Sequence, residues 1–269
     1  MNTTFSNARG SGLSRLAVAS LLAACCTNLH AGTVIVDNDE WTLSDTGFAS
    51  EGSANGTTYA QNAASFLTGG SGAVLIYSDN FGLDSGSLET ALSSGGYSVT
   101  EDSSVGTPFT AASLSSYKAV FVGGDSLNST EISALQAYVS GGGGVYIAAG
   151  TGTIPGGAVG EAAQWNSFLT PFDLTLASVY NGVGGNVPVS STSPILSGVS
   201  QLYYNNGNDV STLGSGPAQV IESDANGDGL IAEYSSGGSS VPDSGSTLVL
   251  AGLAIAFLGA GSRYLRQNA

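Results

Sequence analysis

The stretch KAVFVGGDSLNSTEISALQAYVSGGGGVYIAA, Lys118 to Ala149, decides the fold. Ala119 to Gly124 is an uninterrupted apolar run closed by glycine, the pattern of a strand buried on both faces. Ser129-Thr130-Glu131 then opens a segment in which Ile132, Leu135, Tyr138 and Val139 share one helical face, and Gly141 to Gly144 end it. Val145 to Ala149 is a second buried strand. Two buried strands joined by a helix make a βαβ unit, and its strands lie parallel in one sheet.

The same alternation extends outward. Upstream, Ala73 to Ser78 is another buried strand, Ser87 to Leu92 a short helix stopped by Gly95-Gly96, and Tyr97 to Thr100 the next strand. Downstream, a helix is predicted around Val159 to Leu169, and Asp173 to Tyr234 reads mostly as short strands and turns. The fold class is therefore α/β with a mainly parallel sheet and a strand-rich C-terminal part. Trp41, Trp165, Tyr203 and Tyr204 are expected to anchor core or inter-element packing.

Composition narrows the chemistry. Of 269 residues 40 are glycine and only 9% are charged, so hydroxyls, amides and backbone solubilise the chain more than charge does. Apolar residues make up 42%, too many for a disordered chain. Arg9, Arg15, Arg263 and Arg266 lie near the ends, and Lys118 is the one basic side chain between them. Every carboxylate but Asp243 lies in that middle, giving nineteen acids against one lysine and a net charge close to −18. Such a surface repels nucleic acid and anionic lipid and attracts cations, Ca2+ in particular. Both cysteines, Cys25 and Cys26, and the single His30 also fall near the N-terminus. The middle thus lacks a Cys nucleophile, a Ser-His-Asp triad, His- or Cys-ligated zinc and a disulfide.

The ends read as targeting segments. Arg9 and Arg15, the apolar run Leu16 to Cys26 and the small residues after it follow the layout of a secretory signal peptide over 1–31, with cleavage expected after Ala31. Leu22-Ala23-Ala24-Cys25 is a competing lipobox, in which Cys25 would carry lipid. The exported α/β domain then spans 32–234, a Ser/Gly linker 235–240, and a C-terminal segment 241–269. That segment begins Val241-Pro242-Asp243-Ser244-Gly245, continues through the apolar stretch Leu248 to Ala260, read as a helix over 247–261, and ends in Arg263-Tyr264-Leu265-Arg266. Fifteen residues of helix reach roughly 22 Å, short of a hydrocarbon core of about 30 Å unless flanking residues make up the gap. Arg263 and Arg266 would hold the far end in the cytoplasm as a membrane stop.

This tripartite tail resembles the VPDSG-CTERM class of PEP-CTERM protein-sorting signals, with the five-letter motif present letter for letter at 241–245. The resemblance implies passage through the Sec translocon and signal peptidase, then an inner-membrane stage held by the C-terminal helix. It further implies processing by an exosortase-type protease and delivery to the cell surface or beyond. A second resemblance covers Leu75 to Gly152, where LIYSDN, YKAVFVGGD and LQAYVSGGGGVYIAAGTG look like the class I glutamine amidotransferase-like fold, a flavodoxin-like three-layer sandwich. That family places a Cys on the turn after the strand matching Val145 to Ala149. Here the turn is Ala148-Ala149-Gly150-Thr151-Gly152, so the amidotransferase activity is not carried over.

Two constellations remain. In an open α/β sheet, ligands bind beyond the carboxyl ends of the strands. Ser78-Asp79-Asn80, Gly123-Gly124-Asp125 and Gly150-Thr151-Gly152 should meet there, making Asp79, Asp125, Thr151 and Glu161 candidates for acid–base work or cation binding, or simply caps of turns and helices. Asp224-Ala225-Asn226-Gly227-Asp228-Gly229 matches the start of a Ca2+ loop through Asp224, Asn226 and Asp228, but Ser235 stands where the closing Glu belongs. Val220-Ile221 and Leu230-Ile231 on either side equally fit a hairpin. The expected function is an exported surface or extracellular-matrix component with no catalytic residue assigned. The alternatives are a Ca2+-dependent module binding glycan or protein, and a carboxylate-based hydrolase.

Overall fold

A computed structural model describes residues 32–84, 86–150 and 154–237. Its centre is a seven-stranded sheet built from β1 (Thr33–Asp37), β2 (Ala73–Tyr77), β3 (Ser98–Asp102), β4 (Ala119–Gly123), β5 (Gly144–Ala148), β10 (Gln219–Ser223) and β11 (Gly229–Ser235), in the order β10-β11-β1-β5-β4-β2-β3. The five strands from β1 to β3 in that order are mutually parallel, while β11 runs antiparallel to β1 and β10 antiparallel to β11. β1, β4 and β5 are buried along their whole length, as uninterrupted apolar runs require.

Helices cover both faces. On one lie α1 (Asp45–Glu51), α2 (Ser53–Thr68) and α3 (Gly86–Ser94), which pack Phe48, Tyr59, Ala63, Leu67, Leu88 and Leu92 against Ile35, Ile76, Phe121 and Tyr146. On the other lie α4 (Ala111–Leu114), α5 (Ser129–Ser140) and α6 (Gly157–Leu169), which pack Leu114, Leu135, Val139, Trp165 and Phe168 against Val34, Val36, Val120, Val122 and Ile147. Alternate residues of β1 serve opposite cores, so one strand stitches two apolar layers together. Helix α5 starts at an Asn128 cap whose side chain accepts from Thr130 and Glu131 backbone N–H groups, while Glu131 reaches back to Asn128 N–H at 2.9 Å.

The strand-rich C-terminal part divides. β6 (Leu174–Tyr180) pairs with β9 (Asn208–Thr212), and β7 (Gly184–Pro188) pairs with β8 (Gln201–Asn205), as two small ribbons. β10 and β11 instead join the central sheet, where β11 pairs antiparallel along the whole of β1. Trp165 is fully buried as expected, but Trp41 is only half-buried, its ring against Phe81 at 4.6 Å and Tyr203 at 6.4 Å between centroids. Among the described residues no helix is long and apolar enough to cross a membrane. The expected signal segment 1–31 and the C-terminal segment 241–269, with the helix expected at 247–261, lie outside the described residues.

Candidate functional site

From β2 the chain crosses to β3 at the sheet edge, then returns past β2 to β4, so the strand order reverses between β2 and β4. Ligands of open α/β sheets bind in the crevice at such a reversal. The loops after these two strands meet there. Ser78 Oγ donates to Gly123 O at 2.7 Å and accepts from Asn80 N–H at 3.1 Å, and Asp79 N–H donates to Asp125 Oδ2 at 3.3 Å. Gly124 has φ +76, and a Cβ there would stand 2.4 Å from Asn80 Cβ, so only glycine lets the loops close.

Asp79 is exposed and Asp125 is 9% exposed. Burial, reinforced by a hydrogen bond from the Asp79 carboxyl and its charge, pushes the Asp125 carboxyl up to about 7. A carboxyl that keeps its proton toward neutrality, as Asp125 does, can serve as an acid. Helix α6 fixes the loop: Gln164 Nε2 donates to Asp125 O at 2.6 Å and Gln164 Oε1 accepts from Leu127 N–H at 3.1 Å.

Glu161, on the same helix, is directed elsewhere. It is fully buried, accepts from Ile154 N–H at 3.3 Å and Trp165 Nε1–H at 3.0 Å, and its pKa is raised by burial. Its hydrogen bonds anchor the chain after β5 to α6 and to Trp165, apart from the Asp79–Asp125 contact. Thr151 lies outside the described residues.

A larger acid cluster escaped the sequence reading. Asp37, Asp39, Glu40 and Glu51 are all buried at the carboxyl end of β1. Asp37 Oδ2 accepts from Tyr59 OH at 3.0 Å and Tyr146 OH at 2.9 Å, and its Oδ1 from Thr42 Oγ1 at 3.2 Å and Asp39 N–H at 3.3 Å. Desolvation raises Asp37 to about 7 and Asp39 to about 7. Asp39 accepts from Trp41 N–H and Asn205 N–H, and Glu51 from Tyr203 N–H at 2.9 Å, tying the β8 ribbon to the sheet. Burial lifts Glu51 to about 8. The available signal was DNDE, Asp37 to Glu40, directly behind the apolar run TVIV.

Asp224, Asn226 and Asp228 form the turn of the β10–β11 hairpin. Asp224 Oδ1 accepts from Asn226 N–H at 2.8 Å and Asp228 N–H at 2.9 Å, Oδ2 accepts from Asn226 Nδ2 at 2.9 Å, and Gly227 takes φ +95. Both Asp224 oxygens thus brace the turn. Among the described residues no group of three or more His, Cys, Asp or Glu is arranged to hold a metal ion. An open cleft of about 510 Å3 lies beside the turn, lined by Asn181, Asn186, Ser190 and Asp224 among others.

No curated protein and no solved structure matches the chain. Residues 240–263 match the VPDSG-CTERM motif, which covers Val241 to Gly245, the apolar stretch and Arg263. The motif is consistent with export to the cell surface and implies processing by an exosortase-type protease.

Proposed function

We propose that the chain is an exported cell-surface or extracellular-matrix component, delivered by its C-terminal signal and acting through a non-catalytic α/β domain. The match at residues 240–263 carries this reading. The leader pattern at 1–31 supports it, as does a middle domain without Cys, His or Arg. The order β3-β2-β4-β5 is that of the first four strands of a flavodoxin-like sheet, with β1 in the fifth place, which favours the amidotransferase-like resemblance at the level of fold. Removing residues 241–269 should release the domain into the periplasm or medium. Unchanged surface retention of the truncated chain would defeat the proposal.

The Asp79–Asp125 contact favours a second reading, a hydrolase working through the Asp79 and Asp125 side chains. Asp125→Asn keeps the size of the side chain and removes the titrating group. Hydrolysis of a surface glycan or ester by the native protein, lost in this variant with its melting temperature retained, would establish it.

A further inference from the structure

Resting on the reading of 241–269 as a membrane-sorting segment, we infer that the amino edge of the central sheet faces the lipid surface and the acid-rich carboxyl edge faces away. The chain enters and leaves the domain at one place. Gly32 N–H donates to Ser236 Oγ at 2.9 Å, Ser236 N–H donates to Gly32 O at 2.9 Å, and Thr33 pairs with Ser235. These residues lie at the start of β1 and the end of β11, the edge opposite the Asp79–Asp125 loops.

The tether is short. Residues 238–247 span at most roughly 36 Å even when fully extended. A domain of this length has a radius of gyration of about 17 Å, hence a diameter of about 40 Å. Inverting the domain would require the tether to run its full height, which exceeds even that extended span.

Charge points the same way. Asp173, Glu233, Glu51 at the end of α1 and Glu161 within α6 aside, the carboxylates of 32–237 lie on the loops after parallel strands, the last residues of those strands, the first turns of the helices behind them, or the β9–β11 segments at the same level. Lys118 lies at the opposite edge, exposed, before β4. It borders a cleft of about 330 Å3 with Tyr117, Tyr138 and Gly141 to Gly143, beside the point where the chain enters at Thr33. The one cation of the domain is thus presented to the membrane, where lipid phosphate accepts it, and the acids are carried away from it.

Four exposed positions read the orientation: Ser71→Cys and Ser116→Cys at the amino edge, Ser126→Cys and Ala225→Cys at the carboxyl edge. Each is placed in the full chain with Cys25 and Cys26 changed to Ser, labelled with a fluorophore, and reconstituted into phosphatidylethanolamine–phosphatidylglycerol vesicles carrying a headgroup quencher. The edges stand at least about 17 Å apart, the length of a five-residue strand. Quenching should be severalfold stronger at 71 and 116 than at 126 and 225, and Lys118→Glu should reduce it at 116. Equal or reversed quenching in chain that floats with the vesicles overturns the orientation while leaving the sorting reading standing. Failure of the chain to float overturns both.

Discussion

Replacing Asp37 by Asn should flatten the dependence of stability on pH. Asp37 is fully buried with no cationic partner among its contacts, and desolvation pushes its carboxyl from the ordinary 3.8 up to about 7. Below the unfolded value both states carry the proton. Between about 4 and 7 the folded state keeps the proton that the unfolded chain gives up, so stability falls as pH rises, and above about 7 the loss is complete. At 1.36 kcal/mol for each pH unit, the window amounts to roughly 4 kcal/mol for this group. Asp39 and Glu51, raised to about 7 and about 8, add slopes of the same sign, so the native protein should be markedly more stable at pH 5 than at pH 8. In Asp37→Asn one acceptor oxygen becomes an NH2 group facing two of the four donors, which lowers stability at every pH, but the Asp37 share of the slope disappears. Urea unfolding of both proteins between pH 4 and 8.5 measures the difference of the two curves. A difference that changes by several kcal/mol across the window supports the burial argument. Parallel curves would refute it.

Further outcomes follow from backbone and turn geometry. Gly150→Ala should cost about 3 kcal/mol or more, because φ is +93 and a Cβ would meet Asn38 O at 2.0 Å and Gly207 Cα at 2.7 Å. Gly96→Ala, with φ +87 and nothing within 4 Å, should cost only about 1–2 kcal/mol; equal losses in denaturant titrations would discredit the close approach. Asn128→Ala should cost about 1 kcal/mol by removing one half of the reciprocal cap of α5, visible as a lowered unfolding midpoint. Asp224→Ala should lower stability by about 1–2 kcal/mol equally with Ca2+ or a chelator present. A loss confined to Ca2+-containing buffer would mark the turn as a cation site instead.

Much of the fold is legible where apolar runs are continuous. β2, β4 and β5 fall within one residue of the runs that announce them, and α5 begins at Ser129 as its cap and periodicity require. The hairpin reading of 220–231 also matches the antiparallel β10–β11 pair. Helix α2 was hidden because its buried face is Tyr59, Ala60, Ala63, Ala64 and Leu67 within a Ser-, Asn- and Thr-rich segment, where small residues give a weak apolar signal. β1 gives no separate signal because TVIV directly follows a segment with a leader pattern, and the acids after it read as surface loop. At the carboxyl edge, the rule for open sheets brought the Asp79 and Asp125 loops together correctly, since both follow strands flanking the reversal. It did not foresee that Glu161 would turn to Trp165 and the chain after β5, because helix periodicity gives a face but not which loop that face meets. Nor does any local pattern reveal that Tyr59, Tyr146 and Thr42 converge on Asp37 from three separate elements.

Delivery to the cell surface through signals at both ends is tested most directly by intact-mass measurement of the protein recovered from its own cells. The protein should begin at Gly32, lack the segment after the 241–245 motif, and be found in the envelope or medium. A full-length chain of 269 residues recovered from the cytoplasm would contradict it.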